Sequence, residues 1–297
     1  MTSRHVLVLV VGVVAISWAA PLIRLAEDVP AIVIAAMRLG LAAVPMVMIA
    51  GWSGRQEATT LRRSELLILV LSGVALAAHF GFWVASLQLT SVLSSVALVT
   101  MQPIFVALGA WLFLREPPTR GVLVGIGLGI VGALVLFADD LGDTGSLTGN
   151  AYALIGAIAA SVYLVAGRGA RRRLSTPVYT ASVYSVTAVV LFAAVAITRT
   201  PVTGYSMDAY IFLVLLALVP QLIGHNALNW ALGAVPAAIV AVAVLGEPVG
   251  AAILAFILLD EAPTLLEIVG GTLLLSGVYI ALRSASRREP ARETIET

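Results

Sequence analysis

Apolar residues fill this chain in ten long runs, 5–26, 30–51, 66–87, 92–114, 121–138, 147–167, 178–198, 209–231, 236–259 and 265–282. A bilayer core takes roughly 20 apolar residues of helix to cross, so each run is predicted to span a membrane. Two divisions rest mainly on length. The stretches 66–114 and 209–259 are almost continuously apolar, and Thr90-Ser91 and Pro236 mark the cuts. No run alternates apolar with polar residues at a period of two, which argues against a membrane β-barrel. The predicted fold class is all-α integral membrane.

The punctuation between runs carries a second pattern. All 17 basic residues are arginine, and cytoplasmic loops retain positive charge. With the N-terminus inside, Arg4, the 55–63 loop, Arg115 and Arg120, the 168–173 cluster and the tail from Arg283 all fall on one side. Arg199 alone falls on the other, and the 138–146 loop there holds Asp139, Asp140 and Asp143. Ten spans with both termini cytoplasmic follow. Residues 1–20 look like a signal peptide, but the long apolar stretch and the spans that follow it predict a retained first helix.

The chain also repeats itself. LREPPTRGVLVGIGLGIVGALVLF from 114 and LDEAPTLLEIVGGTLLLSGVYIAL from 259 align at an offset of 145, matching Glu116, Pro118, Thr119, Gly125 and Gly132 to Glu261, Pro263, Thr264, Gly270 and Gly277. Five spans per half is an odd number, so the second half must enter the membrane inverted. The first turn lies inside and keeps arginine; the second lies outside and loses it. The halves are 1–146 and 147–283, with 284–297 a polar cytoplasmic tail. The matched glycines predict an internal helix contact, and a monomer ahead of a dimer.

Composition agrees. Sixty per cent of residues are hydrophobic and 11% charged, against about 25% charged in a soluble domain. A net charge of +1 with scattered arginines gives no nucleic-acid surface, and the absence of cysteine removes disulfides and thiolate chemistry. No metal or cofactor motif is present.

A short apolar helix, a Glu-x-Pro-Thr turn and a Gly-rich last helix, present twice in a ten-helix chain, resemble the EamA family of the drug/metabolite transporter superfamily. The stretch AAMRLGLAA around Arg38 is similar to that family's second helix. The resemblance implies a bacterial inner-membrane exporter of amino acids or other metabolites, one branch of the family exporting aromatic amino acids.

Polar residues at membrane depth face the bundle interior or a water-filled cavity. Gln221, His225 and Asn229 are spaced to share one helix face, as are His79 and Trp83, and His79 matches His225 at an offset of 146. Trp18, Met101 and Tyr163 add an apolar wall. Together these eight are the candidate substrate contacts, with helix-to-helix hydrogen bonding as the alternative role. Gln102-Pro103 and Glu247-Pro248 are repeat equivalents, so Pro103 and Pro248 are candidate hinges. Glu247 is the acid deep in a span, a candidate proton or ammonium sensor or an ion-pair partner of Arg24 or Arg38. Tyr152, Trp111 and Tyr210 read as interfacial belt.

The function expected is a secondary transporter working by alternating access on a small-molecule substrate. Amino acids come first; nucleosides and cationic drugs stay open. An intramembrane enzyme lacks a nucleophile motif, paired intramembrane aspartates and a zinc site, and a channel lacks a ring of charge or a filter.

Overall fold

The computed structural model describes residues 3–106, 108, 119–139, 143–171, 173–232 and 243–286. Trp111, Asp140, Arg172 and Pro236, which figure in the sequence reading, lie outside them. Among the described residues every regular element is helical. They are α1 (Ser3–Ser17), α2 (Ala19–Leu25), α3 (Ala31–Ser53), α4 (Arg55–Thr59), α5 (Arg63–Leu87), α6 (Val92–Val99), α7 (Arg120–Asp139), α8 (Thr144–Arg171), α9 (Thr176–Thr198), α10 (Met207–Leu216), a π-helical segment (Ala217–His225), α11 (Asn226–Leu232), α12 (Gly246–Leu259) and α13 (Leu265–Ser286). Seven helical stretches in the described residues are long and apolar enough to cross a bilayer: Ser3–Leu25, Ala31–Ser53, Arg63–Leu87, Arg120–Asp139, Thr144–Ala166, Thr176–Thr198 and Met207–Ala231. Shorter apolar helices occupy Val92–Val106, Gly246–Leu259 and Leu265–Ala281. Large apolar side chains such as Val44, Met48, Leu134 and Ile257 are exposed, which suits a surface that faces lipid chains. The chain is a multi-pass membrane protein.

The repeat offset governs the helix boundaries. Adding 145 to the ends of α3 yields those of α9, and adding it to the start of α7 yields the start of α13. The glycines then explain how the halves meet. A Cβ on Gly125 would lie 2.5 Å from the Gly277 carbonyl oxygen, and one on Gly132 would lie 2.6 Å from that of Gly270. The helices α7 and α13 therefore run antiparallel with backbones in contact, as small residues allow inside a bilayer. Exchanging the halves turns one contact into the other, because Gly270 and Gly277 are Gly125 and Gly132 displaced by 145.

Three breaks interrupt the expected helices, each next to a proline. Pro21 has no N–H for the Ser17 carbonyl, and the first span is broken at Trp18 between α1 and α2. Pro103 has no N–H for the Val99 carbonyl, and α6 stops at Val99 and resumes after a turn at Thr100-Met101, where the Gln102 carbonyl accepts from Ser161 Oγ at 2.8 Å. Pro248 sits in the first turn of α12, where the missing N–H costs no helical bond. At Pro103 and Pro248 the expected kink inside a continuous helix is replaced by an end and a restart.

The π segment around Pro220 is the feature that breaks the repeat. The corresponding part of the first half, within α5, is an uninterrupted α-helix. A π-bulge inserts one residue into a helix, which accounts for His79 and His225 matching at 146 while their surroundings match at 145.

Polar contacts gather the helix ends into two groups. At one end Arg24 pairs with Glu261 at 3.5 Å and donates to the Leu87 and Thr90 carbonyls at 2.9 and 3.1 Å. Glu267 there accepts from Ser91 and Ser94, closes a capping box with Thr264, and so ties α13 to the start of α6. Asp28 belongs to the same end, and the Ser206 N–H at 2.9 Å holds its carboxyl below the usual carboxylate range. At the other end Glu57 accepts from the Ser175 N–H at 2.6 Å, Arg173 lies 3.7 Å from Glu65, and Thr119 bonds Ser284.

Candidate functional site

The centre of the bundle is built around Arg38. Alanines at 35, 36, 42 and 43 surround it on α3 and are themselves buried, so the long side chain has room to lie between helices. It is fully buried. Its Nε donates to Gln221 Oε1 at 2.9 Å, a bond to the π segment of the second half. Its guanidinium carbon sits 4.4 Å from the Phe80 ring centroid and 5.7 Å from that of Trp83, distances at which a desolvated cation gains up to about 2 kcal/mol from each ring face. Among the described residues Nη1 and Nη2 have no hydrogen-bond partner, and neither does the buried Trp83 Nε1.

Two histidines flank the same rings. His79 is aligned with Trp83, centroids 6.0 Å apart and planes 8° from parallel, and His225 meets Phe80 edge-on at 6.0 Å. His79 Nδ1 lies 3.0 Å from the Gly156 carbonyl. A carbonyl only accepts, so this nitrogen carries the hydrogen. Helix α8 packs closely there: a Cβ at position 156 would be in van der Waals contact with the His79 carbonyl and Trp83 at 3.4 Å. Tyr184 on α9 is buried and lies 3.4 Å from Asn226 Oδ1, with Tyr163 of α8 within electrostatic range. Glu247 at the start of α12 is within electrostatic range of Arg38.

The structure thus brings His79, Trp83, Gln221, His225, Arg38 and Glu247 together, with Tyr163 at the margin. Others go elsewhere. Arg24 belongs to the end cluster and its acidic partner is Glu261, not Glu247. Met101 packs with Ile104, Leu274 and Val278 under α7 and α13. Trp18 is half-buried against the main core, and Asn229 is buried on α11. The polar stripe is re-phased, since residues 217–225 follow π and not α geometry: Gln221 reaches Arg38 while His225 turns to Phe80.

Phe80, Tyr184 and Asn226 were not singled out by sequence. Phe80 and Tyr184 look like ordinary core aromatics until a buried cation lies beside them. Asn226 had a signal, being an amide at span depth next to His225. Pro220 did too, as a proline in the middle of an apolar run. Among the described residues no group of three potential metal ligands assembles.

Comparison with known proteins places these features. Residues 3–138 and 147–283 each match the EamA-like transporter family. An uncharacterized transporter of Archaeoglobus fulgidus is 25% identical over 221 residues, 73% of this chain and 75% of the relative. One solved crystal structure of a protein has the same fold, with a TM-score of 0.67 at 18% identity over 97% of this chain and 100% of that one.

Proposed function

Because the chain belongs to the EamA-like transporter family, we propose that it is a secondary carrier of the bacterial inner membrane that exports amino acids or related small metabolites. The observation that carries this reading is the central cluster, in which buried Arg38, Phe80 and Trp83 of one half meet buried Gln221 and half-buried His225 of the other. A carrier needs a site shared between two moving bodies. Counterflow of labelled amino acids, nucleosides and sugars by proteoliposomes tests it: amino acids should exchange, and failure of every solute to exchange would remove the carrier reading.

Alternating access of two inverted five-helix halves is the accompanying mechanism. It is supported by the antiparallel, interchangeable contacts of α7 and α13, and by the sorting of helix ends into two groups that fits ten crossings. Both termini are then cytoplasmic. In the cysteine-free chain, a single cysteine replacing exposed Thr144 should react with impermeant maleimide in intact cells, and one replacing exposed Arg173 should react only after lysis. Labelling of both from outside would overturn the topology.

Glu247 is the candidate coupling residue. The charged group within electrostatic range of it is Arg38, and Tyr184 and His225 lie within range of Arg38 in turn. Glu247→Gln keeps the shape and removes the titration. It should preserve substrate exchange while flattening the pH dependence of transport, and an unaltered pH profile would assign coupling elsewhere.

A further inference from the structure

The three orphan donors of the central cluster have one chemistry in common. Arg38 Nη1, Arg38 Nη2 and Trp83 Nε1 all carry hydrogens, are all buried, and all lack an acceptor. Native proteins seldom leave even one such group unpaired, and these belong to side chains that contact each other. Arg38 Nε is already used by Gln221, so the edge left open is the one carrying both terminal nitrogens. That edge presents two parallel N–H bonds, the geometry that takes the two oxygens of a carboxylate.

We infer that the carrier's substrate bears a carboxylate, held by Nη1 and Nη2 of Arg38 with Trp83 Nε1 donating to the same group. The inference rests on the transport reading above and sharpens it. A phosphate dianion suits the site less, because one guanidinium supplies the only fixed positive charge among the described residues of the cluster. The Phe80 and Trp83 rings beside the guanidinium leave the remainder of the substrate against aromatic faces. Both donors sit on the first half, whereas Gln221, which orients the guanidinium, sits on the second. Movement between the halves therefore changes the aim of the open edge, and this links binding to the access cycle. Gln221 acts here as a positioning residue.

The test uses the full-length protein in nanodiscs with matched probes: L-phenylalanine and L-leucine, their carboxamides, and the corresponding amines without a carboxyl group. Thermal stabilisation reports binding, and counterflow in proteoliposomes reports transport. The acids should bind at least tenfold more tightly than the amides and amines, and an aminophosphonate analogue should bind less well than the acid. Arg38→Lys should lose most of that preference, since an ammonium cannot present two parallel donors. Trp83→Phe keeps a ring and deletes the N–H, and should weaken the acids several-fold while leaving the amides unchanged. Equal binding of acid and amide by the unaltered protein overturns the inference whether or not the Arg38 variant folds. So does an undiminished acid preference in folded Arg38→Lys, or binding of none of the acids. Acids that bind without counterflow would instead remove the transport reading and leave the carboxylate site standing, whereas counterflow of solutes without a carboxyl group would do the reverse.

Discussion

Gly125→Ala should destabilise the protein markedly, while Gly127→Ala, two residues along the same helix, should be harmless. At 125 the added methyl would meet the Gly277 carbonyl at 2.5 Å and the Ala281 nitrogen at 2.8 Å, both backbone atoms that cannot rotate away. The α7–α13 contact would have to open along its length. Overpacking of this kind typically costs about 1–3 kcal/mol, and Gly125→Val should exceed it. At 127 nothing lies within 4 Å, and exchanging glycine for alanine inside a helix is worth roughly 0.5–1 kcal/mol in the favourable direction. Melting of the two purified variants in detergent, followed by intrinsic fluorescence, should move in opposite senses. Equal melting would show that the glycine contact does not hold the halves together.

Gln221→Leu is the second substitution expected to have a large effect. Leucine fills a similar volume, but it removes the one hydrogen bond that the fully buried Arg38 side chain makes. A hydrogen bond to a charged group is worth about 1.5–3 kcal/mol, and the cation would keep only its ring contacts. Stability should fall by that amount, with transport reduced further because the guanidinium is no longer aimed. Gln221→Glu keeps an acceptor at the same place and should restore folding. A Leu variant as stable as the unaltered protein would mean that Glu247 compensates Arg38 through space.

Much of the fold could be read along the chain because bilayers impose one length on every span. Among the described residues seven of the ten apolar runs have helices long enough to cross a bilayer and the other three have shorter apolar ones, and the 145-residue offset reappears in helix boundaries as well as in the residues that matched. The glycines at 125, 132, 270 and 277 were legible for the same reason: a repeated small residue in an apolar helix has few uses besides close approach. What escaped was the response of helices to proline. Pro21, Pro103 and Pro220 were all visible, yet they led to a break, a restart and a π segment, because the outcome depends on which neighbouring group satisfies the freed carbonyl. The central site was legible as a set of residues and not as an arrangement. Arg38 and Gln221 are 183 positions apart, and nothing in local spacing says that the arginine would turn toward the second half while Arg24 turned to Glu261.

For the alternating-access cycle proposed above, the π segment has an energetic consequence. Two identical inverted halves would make the inward-open and outward-open forms mirror images in energy, equally populated without a gradient. A π turn in the second copy where the first has an α-helix lifts that degeneracy. The resting protein must then favour one face, and the exchange rate measured with substrate on one side need not equal the rate with the sides reversed.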